Sequence, residues 1–161
     1  MVFAEDSEDA FNAGIRGLVS KGVLIRAAQG AYVYPHTGFD RDRVLEQVAA
    51  TLRRGEHVYV SLESALSRYG IISQIPIDRL TLMTKGRSGE FQTPWGVIEF
   101  THTDRSPLNI LEATRPTDGP LRFAKAATAL RDLRRVGRNT HLIQDEDLED
   151  VLREDEDGPG L

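Results

Sequence analysis

The chain has 161 residues, 40% of them hydrophobic, with no cysteine and a formal charge of −5. That is enough apolar side chain for a folded core, and it excludes disulfides, thiolate metal sites and a uniformly basic nucleic-acid coat. No apolar run reaches the roughly 18 residues that span a bilayer, and no basic-then-apolar leader precedes the fold, so a cytoplasmic protein without a membrane partner is expected.

The net charge hides a polarity. Residues 115–138 hold seven basic residues against Asp118 and Asp132, whereas residues 145–157 hold nine acidic residues against Arg153. Segregation of this kind points to separate electrostatic roles, or to one end screening the other.

In chain order, Asp6 or Ser7 caps a helix running to about Lys21, with Glu8 and Asp9 suited to its positive N-terminal end. Phe11, Ile15, Leu18 and Val19 form its inner face, and Asn12, Arg16 and Ser20 lie further round. Gly22 stops it. Val23 to Arg26 is then a strand, Ala27 to Gly30 a turn, and Ala31 to Tyr34 a returning strand that ends at Pro35. A helix followed at once by a small hairpin is the back half of a winged helix-turn-helix. A complete module has one or two helices before this one and only six residues precede Ser7, so a truncated module is expected.

His36 to Phe39 is a linker, and Asp40 caps a helix whose face is Val44, Leu45, Val48, Ala49 and Leu52. Arg53 and Arg54 suit its C-terminal end and Gly55 closes it. Val58 and Val60 lie on one side of a short strand that turns at Ser61. Leu62, Ala65, Leu66 and Tyr69 then make one helical stripe, with Ser61 as a side-chain cap and Gly70 as a left-handed stop. Ile71 and Ile72 fold back on the last turn.

Beyond this block Ile77 to Thr84 is a strand, with Leu80 and Leu82 facing one way and Arg79, Thr81 and Met83 the other. Lys85 to Gly89 is a tight basic loop. Glu90 to Thr93 and Val97 to His102 are strands joined by a turn at Pro94, Trp95 and Gly96. Thr103 to Pro120 is irregular apart from Leu108 to Ala113. Leu121 to Gly137 is the last substantial helix, and Arg131, Arg135 and Arg138 recur on it at i, i+4 and i+7 as one arginine stripe. A shorter acidic helix from about Asp145 to Arg153 packs through Leu148, Val151 and Leu152, and Glu154 to Leu161 is a disordered tail. The expected class is α+β: a winged-helix module at residues 1–36, then an α+β domain at 37–153 built on a small antiparallel sheet.

Tyr-x-Ser-x-x-Ser-Ala-Leu-x-x-Tyr-Gly-Ile over Tyr59 to Ile71 resembles the central block of the AbiEi antitoxin family of type IV toxin–antitoxin systems. The similarity continues through Gln74, Ile75 and Pro76, then Thr84 to Arg87, then Gly96, Ile98, Phe100 and His102. It covers Ser7 to Leu152. Each motif is short, and it is their order and spacing that carries the likeness. The resemblance implies an antitoxin that neutralises a nucleotidyltransferase-type toxin and represses its own operon by binding inverted repeats in the promoter. A stable complex with the toxin is not implied.

It also implies that the first helix enters the major groove with the hairpin as its wing. Asn12 and Arg16 would then reach base edges, while Lys21, Arg26 and Gln29 would touch phosphates or the neighbouring groove. The plainer alternative is a helix-hairpin cap with solvated charges. The acidic residues Glu5, Asp6, Glu8 and Asp9 oppose phosphate contact. Lys85, Arg87, Arg131, Arg135 and Arg138 are either a solvated basic surface or a docking surface for DNA phosphate, RNA or an acidic protein. The acidic tail either keeps the chain in solution or shields that surface.

Catalytic readings are weaker. Ser61, Ser64 and Glu63 with His57 or His102 could be arranged as a nucleophile and base, but no nucleophile elbow surrounds Ser61 and the capping role suffices for it. His36, His57, His102 and His141 lack the spacing of a zinc site, and Thr84 to Arg87 is too short for a phosphate-binding loop. The expectation is a non-enzyme with no cofactor and no metal. A DNA-binding regulator without a toxin, or a protein-interaction adaptor, is the competing reading.

Overall fold

Residues 8–35, 40–72, 78–143 and Leu148 are described in the computed structural model of the chain. They hold five α-helices, a two-stranded sheet and a six-stranded sheet. The fold is therefore mixed α+β. The expected helix at about Asp145 to Arg153, the linker at His36 to Phe39 and the acidic tail lie outside the described residues, except Leu148, which is half-buried against the core.

Helix α1 (Glu8–Ser20) ends at Gly22, whose φ is +71°. The Gly22 N–H donates to the Val19 carbonyl at 3.0 Å and the Val23 N–H to the Leu18 carbonyl at 2.9 Å. These are the paired bonds of a Schellman stop, and they engage Val23, while Leu24 also donates to Leu18. The first strand consequently begins later than the sequence spacing predicts. It is β1 (Ile25–Ala28), paired antiparallel with β2 (Ala31–Val33), with a register shift between Arg26 and Ala28. Ala27 and Ala31 are buried and belong to the same apolar cluster as the following helix. The inner face expected of α1 is not buried: no residue of this helix is.

Helix α2 (Arg41–Leu52) starts where expected, with the Asp40 carboxylate accepting the Asp42 N–H at 3.0 Å. Val44, Leu45, Val48 and Ala49 are buried. The large sheet comprises β3 (Val58–Val60), β4 (Arg79–Thr84), β5 (Gly89–Thr93), β6 (Gly96–His102), β7 (Thr114–Arg115) and β8 (Arg122–Ala124), in the order β5-β6-β4-β3-β8-β7. It is neither small nor purely antiparallel, because β4 runs parallel to β6 and β3 parallel to β8.

Two local features explain the difference. The β5–β6 hairpin folds back so that β6, not β5, lies against β4, and this needs a glycine at its turn. Gly96 has φ +144°, and a Cβ there would sit 2.5 Å from the Asp78 carbonyl oxygen. Arg122, Phe123 and Ala124, expected in the last helix, instead form a strand between β3 and β7. Helix α5 (Ala126–Val136) starts after it, and α4 (Pro107–Ala113) matches the helix expected around Leu108 to Ala113.

The pleat of β4 divides as its sequence predicts. Leu80 and Leu82 share a face with Val60, Ile98 and Phe100, beneath α2, and the Arg53 guanidinium at the end of α2 lies 4.4 Å from the Phe100 ring centroid. Tyr59, Thr81 and Met83 face α3 (Leu62–Arg68) and α5. Both faces are covered, so β4 is buried along nearly its whole length.

Candidate functional site

The block from Tyr59 to Ile71 sits at the centre of the large sheet, and its polar groups converge on a residue from α5. Ser61 does not cap α3 through its side chain. Its hydroxyl donates instead to Oδ2 of Asp132 at 2.9 Å, and the Tyr59 hydroxyl donates to the same oxygen at 3.1 Å. Arg105 donates to Oδ1 at 2.6 Å. Asp132, Tyr59 and Ser61 are all fully buried. Burial, helped by the neighbouring Asp132 charge, pushes the Tyr59 phenol up to about 12.

The cap expected of Ser61 is supplied by the neighbouring strand. Thr81 Oγ1 accepts the Ser64 N–H at 3.0 Å and donates to the Ser61 carbonyl at 2.9 Å. Ser64 Oγ accepts the Thr81 N–H in return. Strand β4 thus holds the start of α3 through these bonds, and Leu62 is held there at φ +56°, an uncommon conformation for so bulky a residue. The Gly70 stop forms as predicted, with the Ile71 N–H donating to the Leu66 carbonyl at 2.9 Å.

Arg138 does not extend the arginine stripe. Gly137, at φ +74°, ends α5 in the left-handed region and turns the chain away. The Arg138 guanidinium reaches back to Glu63 at 3.0 Å and to Glu99, which also pairs with Arg79 at 2.7 Å. Burial alone would raise the Glu99 carboxyl, but hydrogen bonds from Arg138 and Arg79 hold it below the ordinary carboxylate value. Arg115 and Arg122 are likewise engaged, one over the Tyr69 ring and the other on Thr114.

Arg131 and Arg135 remain exposed on α5. Arg135 donates to the His102 carbonyl at 3.2 Å, and His102 Nδ1 lies 2.9 Å from the Gly86 carbonyl. The Lys85–Arg87 loop and Arg135 therefore meet at His102, one basic patch drawn from two stretches far apart in sequence. Its imidazole is raised above the usual histidine value by the Gly86 carbonyl and by Asp104. The expected DNA-reading residues Asn12, Arg16, Lys21, Arg26 and Gln29 are all exposed on α1 and the hairpin that follows.

A cleft lies between α2, α3 and the start of β4, with Glu46, Ser64, Ser67, Arg68 and Arg79 on its polar side and Leu45, Val60 and Leu80 on its apolar side. Burial raises the Glu46 carboxyl, and Arg68 at 3.6 Å offsets this in part. Neither Asp132 nor Glu46 stands out by type. The legible signal for Asp132 is that an acid falls inside the apolar phase set by Ala129 and Leu133. Among the described residues no group of His, Cys, Asp and Glu side chains could hold a metal, and no helix is long and apolar enough to cross a membrane. A scan against models of known protein families and a search of curated proteins found no match to this chain.

Proposed function

We propose that this chain is a non-enzymatic antitoxin of the AbiEi type, opposing a nucleotidyltransferase-type toxin and repressing its own promoter. The observation that carries the reading is the ordered likeness running from Tyr59 to His102, whose first block forms the buried centre of the domain. Ser61, the residue most open to a catalytic reading, is fully buried and bonded to Asp132, which favours a structural role for it. In this reading α1 and the hairpin are the recognition helix and wing. Asn12 and Arg16 contact bases, and Lys21, Arg26 and Gln29 contact the backbone.

The basic patch of Lys85, Arg87 and Arg135, with Arg131 beside it on α5, serves as the surface for an anionic partner. Arg138 acts from within, fixing the end of α5 through Glu63 and Glu99.

Co-expression with an adjacent nucleotidyltransferase-type toxin tests the antitoxin role: rescued growth is expected, and no rescue by the full chain rejects it. Gel-shift titration on the promoter tests the DNA role. Binding should weaken steeply with salt and weaken further in Arg16→Ala and Arg26→Ala. Absence of binding even at low salt removes the autorepressor half and leaves the rescue assay to decide the rest.

A further inference from the structure

Helix α1 is amphipathic, yet its apolar side is open. Phe11 is 65% exposed and Leu18 39%, and Val23 just beyond the helix stop is exposed as well. Ile15 and Val19 between them are only half-buried. Apolar side chains gathered this way on one helix mark a contact face. Two glycines lie in the same helix. A Cβ at Gly14 or Gly17 would meet nothing within 4 Å. A glycine costs a helix interior about 1 kcal/mol relative to alanine, and no contact among the described residues requires either one. Gly14 lies on the same face as Phe11 and Leu18 and leaves room there for another backbone to approach closely.

The order of residues along α1 says what kind of backbone that is. About a point between Gly14 and Ile15, Phe11 mirrors Leu18, Gly14 mirrors Ile15, and Glu8 mirrors Lys21 just past the helix end. Acidic residues occupy the first turn and a basic one follows the last.

We propose that this face pairs with a second copy of the chain, the two α1 helices lying antiparallel across a two-fold axis between Gly14 and Ile15. Phe11 of each copy packs on Leu18 of the other, and Ile15 fills the space above the facing Gly14. The Glu8–Asp9 end of one helix lies beside the Lys21 end of the other, and the two helix dipoles oppose. A parallel pair would set acid beside acid and base beside base. An isologous contact of this kind closes at two copies. Asn12 and Arg16 flank the face, off its centre; a major groove admits one helix, so pairing and the base contact proposed above are alternative states of α1.

Analytical ultracentrifugation from low to high micromolar concentration tests the pairing. The wild-type chain should be dimeric at the upper end, and Phe11→Asp or Leu18→Asp should be monomeric there. Both variants should keep the wild-type circular dichroism, because neither side chain is buried. Reversing one charge, Glu8→Lys, should weaken the dimer several-fold, because two symmetric exposed pairs turn repulsive, and adding Lys21→Glu should restore it. The chain has no cysteine, so single introduced thiols report orientation. Ile15→Cys should cross-link to itself, and Glu8→Cys should link to Lys21→Cys but not to itself. A monomer at every concentration, a dimer that survives both Asp variants, or self-linking by Glu8→Cys would each overturn the proposal.

Discussion

Asp132 accepts from Tyr59, Ser61 and Arg105 with no exposed surface of its own, so its charge rests on three protein partners. Replacing it by asparagine leaves the Arg105 guanidinium without its counter-charge and turns an acceptor into a donor facing two hydroxyls. Asp132→Asn is expected to cost about 3 kcal/mol or more, the scale of a broken buried pair. Ser61→Ala removes one bond to a charged group and should cost about 1.5–3 kcal/mol, less than the aspartate change. Urea unfolding of both variants decides this, and a smaller loss for Asp132→Asn than for Ser61→Ala would contradict the hub role. Tyr59 supplies a second readout. Its folded value lies near 12 against an ordinary 10.0, so its contribution is whole below pH 10 and is lost as pH rises toward 12. An ultraviolet titration should show a late-ionising tyrosine that Tyr59→Phe removes. At this scale the sequence was a partial guide. Ser61 could be seen to matter, and a cap was the cheapest local explanation. Its true partner is 71 residues away and no local pattern names it.

Among the elements, α3 is the case where a local signal and its mechanism separate. Gly70 and the fold-back of Ile71 depend only on neighbouring backbone, and they formed as read. The cap at the other end depends on β4, because Thr81 occupies the position that Ser61 was expected to fill. Thr81→Val keeps the side-chain shape and removes the hydroxyl, so it strips the cap from the Ser64 N–H. A loss of about 1–2 kcal/mol is expected, with hydrogen exchange accelerated first at the start of α3. Unchanged exchange there would mean the hydroxyl is not holding the helix. The end of α5 behaves similarly. The helix was expected to run to Gly137 with Arg138 on its stripe, but Gly137 turns the chain and places Arg138 in the pair with Glu63 and Glu99. Glu99 lies below its ordinary 4.5, so its contribution is complete above that pH and declines as pH falls through the lowered value. Glu99→Gln should therefore flatten the acid limb of a stability–pH curve. An acid limb identical to wild type would show that the Arg138 and Arg79 contacts contribute nothing to folding.

For the whole molecule, the class was readable from element types, but the sheet was not. The β4–β6 and β3–β8 pairings are parallel, and they join segments whose pairing no turn specifies. Residues 122–124 carry Phe123 and Ala124 at spacings that also suit the helix that follows, and only their place between β3 and β7 makes them a strand. The same long-range view divides the molecule by stability. The hairpin contributes Ala27 and Ala31 to the core cluster, so β1 and β2 should open with the rest of it. Helix α1 contributes no buried side chain and should open alone. Hydrogen exchange in dilute protein is expected to leave α1 amides little protected while those of β4 and β6 exchange only on global unfolding. Raising the concentration should slow exchange in α1 selectively, since the proposed pairing buries its apolar face. Equal slowing in α1 and β4 would point to a contact elsewhere. Strong protection of α1 in dilute monomer would mean the helix is held by contacts within its own chain.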